Sequence, residues 1–235
     1  MSKSLVIVIV EGISEENALY PNLKKMGKKL NIHFDIRGTD VFTAKENKRK
    51  SSKAIAGEII KEITSKPEFN KKDIKLVVQL TDTDGTYISD NKIIADDNSQ
   101  SEKTTYTLEN IKTNSSNQTD EIKNRNNKKR RHLDTLSKTE RIAETINYKI
   151  LYFSRNLDHV ISDKPDTPNS DKSKEADNFS NSFSTPHDFE KFFKESDFTV
   201  NGTYDETWNF IKNDINSLKK FSNFHLIFDL LKEIV

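Results

Sequence analysis

The chain of 235 residues contains no cysteine, which excludes disulfide bonds and thiolate metal sites and leaves carboxylates and imidazoles as metal ligands. Long apolar runs are also missing. The longest, LVIVIV at residues 5–10, is too short to cross a bilayer and lacks a signal-peptide cleavage pattern. Neither sign of charge dominates, because 38 basic residues face 37 acidic ones. We therefore expect a soluble, cytoplasmic protein without a membrane span, in which any nucleic-acid interaction depends on local charge clusters.

The apolar runs that are present predict an α/β fold. Strands are predicted at residues 5–10, 33–37, 74–80 and 148–153, with a helix after each of the first two. The run at 5–10 is continuously apolar and the run at 74–80 is mainly apolar, as is typical of strands covered on both faces of a parallel sheet. The alternation of strands and helices therefore predicts a mainly parallel sheet flanked by helices.

The rest of the chain is more polar and predicts additions to this sheet. Residues 86–118 have the composition of a loop or insertion, and a basic helix is predicted within 121–146. Residues 163–186 are interpreted as a mobile loop or lid with some helix. The last fifty residues are rich in Phe at helical spacing, which predicts a helical cap with an aromatic core. We divide the chain into a domain at 1–160, with a basic insertion at 85–147, and a loop plus cap at 161–235.

Carboxylates follow two of the buried strands directly. Glu11-Gly12 ends the first strand, and Asp82-Thr-Asp84-Gly85 ends the strand that begins at residue 74. In open parallel sheets ligands bind at the carboxyl ends of strands. Alternate residues of an extended strand share a face, so we expect Asp82 and Asp84 to reach one ion together. Hard oxygen ligands favour Mg²⁺ or Mn²⁺ over zinc.

These residues resemble the Toprim fold. VIVIVEGISEENAL, followed some seventy residues later by VVQLTDTDG, is similar to the Toprim pattern of a strand ending in Glu-Gly and a later strand ending in D-x-D. The family includes topoisomerase and primase catalytic domains, the OLD (overcoming lysogenization defect) nucleases and a ribonuclease that matures ribosomal RNA. The whole chain also resembles a group of Firmicutes proteins, and NLDHVISDK is similar to a segment of phage-resistance proteins of the RloB and OLD-like kind.

The resemblance implies roles for particular residues. Glu11 would be a metal ligand or general acid/base, Asp82 and Asp84 metal ligands, and Asp158 a further acidic member of the site. Arg155, His159 or Lys164 would be available to a phosphate.

The D-x-D stretch also matches the sequence pattern of a second family. LTDTDGTYI matches the haloacid-dehalogenase pattern D-x-D-G-T, in which the first Asp, here Asp82, is a phosphoryl-accepting nucleophile and the second, here Asp84, a general acid/base. In that family the D-x-D strand opens the domain, whereas here it follows two strands and two helices. That interpretation also leaves Glu11 without a role, so the order of motifs favours the Toprim resemblance.

One local cluster of charge could bind nucleic acid. KNRNNKKRRH at 123–132 contains no acidic residue, and a helix there would attract phosphates without reading bases. Its position beside the D-x-D motif favours this role over a merely solvated face. The candidate nucleic-acid-binding residues are Lys123, Arg125, Lys128, Lys129, Arg130 and Arg131.

The sequence and the resemblance together lead us to expect a Mg²⁺- or Mn²⁺-dependent nuclease that cleaves DNA or RNA, tRNA included. The resemblance alone implies a role in bacterial anti-phage defence. Two alternatives stay open: a non-catalytic or partner-dependent Toprim-like subunit of a defence complex, and a phosphohydrolase of the haloacid-dehalogenase type. A sensor or ATPase partner protein and an oligomeric state also stay open.

Overall fold

The computed structural model describes residues 4–38, 52–65, 69–96, 104–164 and 167–235. Its nine strands form two sheets, and their bounds are β1 Ser4–Val10, β2 Ile32–Gly38, β3 Ile74–Asp82, β4 Ile93–Ala95, β5 Thr105–Tyr106, β6 Ile111–Thr113, β7 Arg141–Ile142, β8 Ile146–Ser154 and β9 Phe221–Ser222. The main sheet has the order β2-β1-β3-β8-β7, with β9 also paired to β8. Strands β2, β1, β3 and β8 are parallel, whereas β7 and β9 are antiparallel to β8. The predicted mainly parallel α/β sheet is confirmed.

Eight α-helices accompany the strands in the part of the chain that the structure describes. They are α1 Ile13–Leu30, α2 Ser52–Thr64, α3 Ser116–Leu136, α4 Leu157–Ser162, α5 Asn169–Asn181, α6 Pro186–Glu195, α7 Tyr204–Ile211 and α8 Leu226–Glu233. Within these residues, none of the helices has the length and apolarity needed to cross a membrane.

The central strands separate two hydrophobic cores. Side chains alternate between the faces of a strand, so Val6 and Val8 of β1 point to one core while Leu5 and Ile7 point to the other. The first core is closed by α1, α5, α6 and α8. The second is closed by α2, α3 and α7. Burial on both faces explains why β1 is apolar at every position from Leu5 to Val10.

The C-terminal aromatic residues belong to these same two cores. Phe189, Phe193 and Phe228 pack in the first core, while Trp208 of α7 packs in the second. The predicted aromatic packing of the C-terminal helices is confirmed, and these helices cover both faces of the main sheet. The domain boundary at residue 160 stays a prediction.

The segment 163–186, predicted as a mobile loop or lid with some helix, does contain a helix, α5, and this helix is packed on the fold. Helix α5 is polar overall, but its Ala176 and Phe179, together with Phe183 just after the helix, lie three or four residues apart and are buried in the first core. The helical spacing of these few apolar residues attaches the segment to the fold.

The insertion also has more structure than its composition suggests. Strands β4, β6 and β5 form a small separate sheet within the region predicted as a loop. Helix α3 ends at Leu136, ten residues before the predicted segment ends. A turn with positive φ at Ala143 and Glu144 then lets β7 pair back on β8.

Candidate active site

The carboxylates predicted from the strand ends do meet at one edge of the main sheet. Strands β1 and β3 are parallel neighbours, so their carboxyl ends lie side by side. Glu11 Oε1 accepts a hydrogen bond from the Thr81 hydroxyl at 2.7 Å and another from the backbone N–H of Asp82 at 3.2 Å. Glu11 is therefore attached to the start of the D-x-D motif, seventy residues away in the chain.

The expectation that Asp82 and Asp84 share one face of an extended strand is wrong. Strand β3 ends at Asp82, and Asp84 adopts a left-handed conformation with φ 47°. The turn is held from inside, because the N–H groups of Thr83 and Asp84 both donate to the carbonyl of Arg155 at 3.0 Å. Gly85 also has positive φ, and a Cβ there would lie 2.5 Å from Leu218 Cδ2, so the turn requires glycine.

The turn sends the two aspartates to different partners. Asp82 Oδ1 accepts the backbone N–H of Leu157 at 3.1 Å, at the start of α4. Asp84 Oδ2 instead accepts a hydrogen bond from Lys129 Nζ at 2.7 Å. The same ammonium lies 3.6 Å from Glu11 Oε1, and the Lys129 side chain is only 8% exposed. A lysine of α3 thus lies between two of the three predicted carboxylates.

Charge and burial make the three carboxylates unequal. Burial raises the pKa of Asp82 well above its ordinary value, and the carboxylates of Glu11, Glu15 and Asp84 raise it further. Burial also raises the pKa of Glu11, although Lys129 opposes this effect. At Asp84, burial favours the neutral acid, but Lys129 and Arg125 outweigh it, so its pKa lies below the ordinary value. Of the three carboxylates, Asp84 therefore has its negative charge compensated most by nearby cations, and Asp82 has it compensated least.

Sequence reasoning missed two residues at this edge. Glu15, in the first turn of α1, has its pKa raised by burial and by the nearby Glu11 and Asp158 carboxylates. Lys172 of α5 forms an ion pair with Asp158 at 3.1 Å. The signal for Glu15 was its position in the first turn of the helix that follows Glu11, where acidic side chains are favoured.

The six candidate nucleic-acid-binding residues lie on different faces of α3. Lys129 is buried, whereas Arg125 and Arg130 are half-buried and bind the turn after β3. Arg125 donates to the carbonyl of Asp84 at 3.2 Å, and Arg130 donates to the carbonyls of Thr86 and Ile88. Lys128 and Arg131 are exposed, and Lys123 is half-buried. Half of the predicted phosphate-binding cluster thus supports the carboxylate turn, and nucleic-acid binding by the remainder stays a prediction.

The residues proposed to meet a phosphate are also engaged in the fold. Arg155 is buried, donates to the Tyr106 carbonyl at 3.0 Å and stacks on the Tyr106 ring. His159 Nδ1 faces the backbone N–H of Arg155 at 3.4 Å. Lys164 is exposed and pairs with Glu175. Of the three, Arg155 lies near enough to act on the charge of Asp84.

The resemblance implies Mg²⁺ or Mn²⁺ at this edge, and the donor chemistry fits such an ion. Glu11 and Asp82 offer only carboxylate oxygens, and a hard divalent cation relieves the repulsion that helps to raise the pKa of Asp82. Among the described residues, however, no three carboxylates or imidazoles are already grouped as metal ligands. Glu11 and Asp82 would hold the cation, and Asp84 could join them only by leaving Lys129.

Comparisons with known proteins assign no family to the chain. No protein-family model, no curated protein and no solved structure matches it. The Toprim likeness therefore stands on the motifs and on a sheet architecture that is compatible with that fold.

Proposed function

We propose that the chain is a Mg²⁺- or Mn²⁺-dependent phosphodiesterase that cleaves nucleic acid in the cytoplasm. One observation carries the proposal: Glu11 accepts the backbone N–H of Asp82 at 3.2 Å, which joins the two strand-end motifs into one acidic site. A site of this kind suits a divalent cation and, through it, a phosphodiester. The anti-phage role rests on the resemblance alone.

The chain's own residues have separable tasks in this proposal. When bound, a divalent cation polarises a phosphodiester and makes bound water more acidic. Glu11 and Asp82 would hold it, each already oriented by a hydrogen bond to backbone N–H, at Asp82 and Leu157 respectively. Arg125 and Arg155 bring positive charge to the Asp84 side of the site, where it would favour an anionic substrate.

The haloacid-dehalogenase alternative receives less support from this arrangement. In that family the D-x-D strand opens the domain, whereas β3 here follows two strands and two helices. This alternative also gives no task to Glu11, which lies at the centre of the hydrogen bonds around the site.

One observation favours the partner-dependent alternative. Asp84 is bound by Lys129 at 2.7 Å, so the D-x-D motif does not present both carboxylates to one ion. A partner protein or substrate that reorganises this pair would then be required for cleavage. An isolated chain that cuts nothing until a partner is added would support this alternative.

The test is cleavage of labelled tRNA, single-stranded DNA and duplex DNA by the full chain in Mg²⁺, Mn²⁺ or chelator. We expect metal-dependent cutting that falls by more than about 100-fold in Glu11→Gln and in Asp82→Asn, since even partners that only orient a metal ligand are worth about 10–100-fold. Glu121→Gln is the matched control, because Glu121 is exposed on α3.

Two outcomes would contradict the proposal. Cutting that survives both site substitutions would place the chemistry elsewhere. Hydrolysis of small phosphomonoesters that needs Asp82 but tolerates Glu11→Gln would instead indicate the haloacid-dehalogenase type.

A further inference from the structure

We propose that Lys129 is a built-in counter-ion of the carboxylate site, which a divalent cation must displace from Asp84 in order to bind with full affinity. The inference deepens the proposed function, since it rests on the same metal site. It assigns Lys129 to the control of metal binding, in place of the phosphate contact that the basic sequence around it suggests.

The ammonium group of Lys129 is held among carboxylates. Lys129 Nζ is 2.7 Å from Asp84 Oδ2 and 3.6 Å from Glu11 Oε1. Its side chain is 8% exposed, so the ammonium is largely removed from water. Such a desolvated ammonium is stable only when carboxylates compensate its charge, and it is attracted to them more strongly than at the surface.

The neighbours of Lys129 on α3 keep the helix in place. Asn126 Nδ2 donates to the carbonyl of Gly85 at 3.3 Å, one turn before Lys129. Arg130 donates to the carbonyls of Thr86 and Ile88, just after the D-x-D turn. Since the backbone around Lys129 is tied to the turn that it serves, we expect the flexible side chain to move when a competing cation arrives, while the helix stays in place.

The charges around the site indicate how Lys129 should change the affinity for a divalent cation. The direct contacts of the Lys129 ammonium include Glu11 and Asp84, and its charge also acts on Asp82. A divalent cation bound by Glu11 and Asp82 would be repelled by this ammonium and would lack Asp84 as a ligand. Metal affinity in carboxylate sites rises with the number of charged ligands. Removal of the ammonium should therefore destabilise the metal-free chain and strengthen metal binding.

If the role of Lys129 were only structural, its replacement should have a different effect on stability and on metal binding. If Lys129 only fills space and satisfies Asp84, its replacement should weaken the fold equally with and without metal and should not tighten metal binding. Lys129→Met tests this difference, because methionine fills most of the same volume without charge. Lys129→Arg keeps the charge. Lys212→Met is the matched control, since Lys212 forms a comparable 2.8 Å pair with Asp134 of α3, outside the carboxylate contacts.

The measurements are calorimetric titration with Mn²⁺ and Mg²⁺ and thermal unfolding in chelator and in saturating metal. For Lys129→Met we expect a dissociation constant at least about tenfold lower than for the wild type, since a nearby unit charge in a partly buried site is worth that much or more. Its melting temperature should fall in chelator and recover largely in metal. Lys129→Arg and Lys212→Met should keep the wild-type affinity. An unchanged or weaker affinity in Lys129→Met, or no metal binding by any variant, would overturn the inference.

A second measurement uses the wild-type chain, in case Lys129→Met does not fold. Amine-specific labelling followed by mass spectrometry should find Lys129 protected in chelator and several-fold more reactive in saturating Mn²⁺, with Lys212 unchanged. Equal labelling of Lys129 in both conditions would contradict displacement. These readouts need no cleavage, so the inference can hold where the proposed nuclease activity fails, and the reverse can also be recognised.

Discussion

The two faces of α3 both carry basic residues, but one face is buried against the rest of the chain and the other is exposed to solvent. The inner face carries Asn126, Lys129, Leu133 and Leu136, all of them buried. Lys128 and Arg131, next to these residues in the chain, are exposed. A rotation of about 100° per residue separates a lysine bound to the carboxylate turn from a lysine in water. A run of basic residues therefore does not by itself indicate which of them face solvent and can meet a phosphate. Their positions relative to the buried leucines of the helix indicate this.

The largest expected effect comes from the apolar part of the inner face. Leu133 is 0% exposed in the second core, so Leu133→Ala should lower the free energy of unfolding by about 2–5 kcal/mol. Thr135→Ala, two residues along on the exposed side, should change it by less than about 0.5 kcal/mol. Denaturant unfolding of both variants measures the contrast. Similar losses at the two positions would mean that α3 does not dock as described.

A smaller effect on stability should show that Lys129 of the inner face compensates the charge of Asp84 more fully than that of Asp82. The pKa of Asp82 is raised in the folded chain, so the protonated acid is favoured there and stability is lost as pH rises from the ordinary carboxyl value through the raised one. In chelator at pH 7.5, Asp82→Asn should therefore raise the melting temperature of the chain, because it removes a carboxylate whose ionised form the fold disfavours.

Thermal unfolding between pH 4 and 8 checks this sign. The advantage of Asp82→Asn should shrink towards the acidic end, where the Asp82 carboxyl group begins to be protonated in the unfolded chain as well. Asp177→Asn is the control, because Asp177 is exposed on α5. If Asp82→Asn were destabilising at pH 7.5 and the deficit grew with pH, the Asp82 carboxylate would be better compensated than the structure indicates.

The smallest effect on stability belongs to the outer face. Lys128→Ala combined with Arg131→Ala should change the free energy of unfolding by less than about 0.5 kcal/mol. If this face meets duplex DNA, the same pair should weaken binding and reduce the slope of log K against log salt by about 0.9 for each phosphate that the variant no longer neutralises. Fluorescence anisotropy in chelator, at several salt concentrations, measures both quantities.

The control for the outer face lies at the opposite edge of the main sheet. Lys71 and Lys72 are exposed just before β3, away from its carboxyl end, and their double alanine substitution should leave binding unchanged. Equal losses from the two pairs would mean that any binding is a general charge effect and is not localised on α3.

Much of the fold could be predicted because its physical cause is local in the sequence. The apolar run at β1 and the mainly apolar run at β3 are typical of strands covered on both faces, and the alternation with helices then favours parallel neighbours. The meeting of Glu11 and Asp82 follows from that arrangement, since parallel strands end at the same edge. The small sheet of the insertion was not predictable in this way, because its strands have two or three residues and carry no clear alternation.

The D-x-D motif shows where the prediction fails. Extended geometry was a fair expectation for Asp82 and Asp84, but the carbonyl of Arg155, which follows β8 in the chain, binds two successive N–H groups and forces a turn. Lys129 was visible in the sequence as one of many cations. Its spacing of four and seven residues from Leu133 and Leu136 was the signal that it faces inward.

The parallel strands, their two-sided burial and the edge at which three acidic residues gather could be predicted from the sequence, because apolar periodicity is local and the alternation of strands with helices favours parallel neighbours. The pairing of those acids depends on contacts that exist only in the folded chain. The turn at Asp84 and the approach of Lys129 depend on contacts with Arg155 and with α3, which lie 71 and 45 residues further along the chain. Charge compensation in a buried site depends on which groups come within a few ångströms of one another. Those distances cannot be predicted from any short stretch of the sequence.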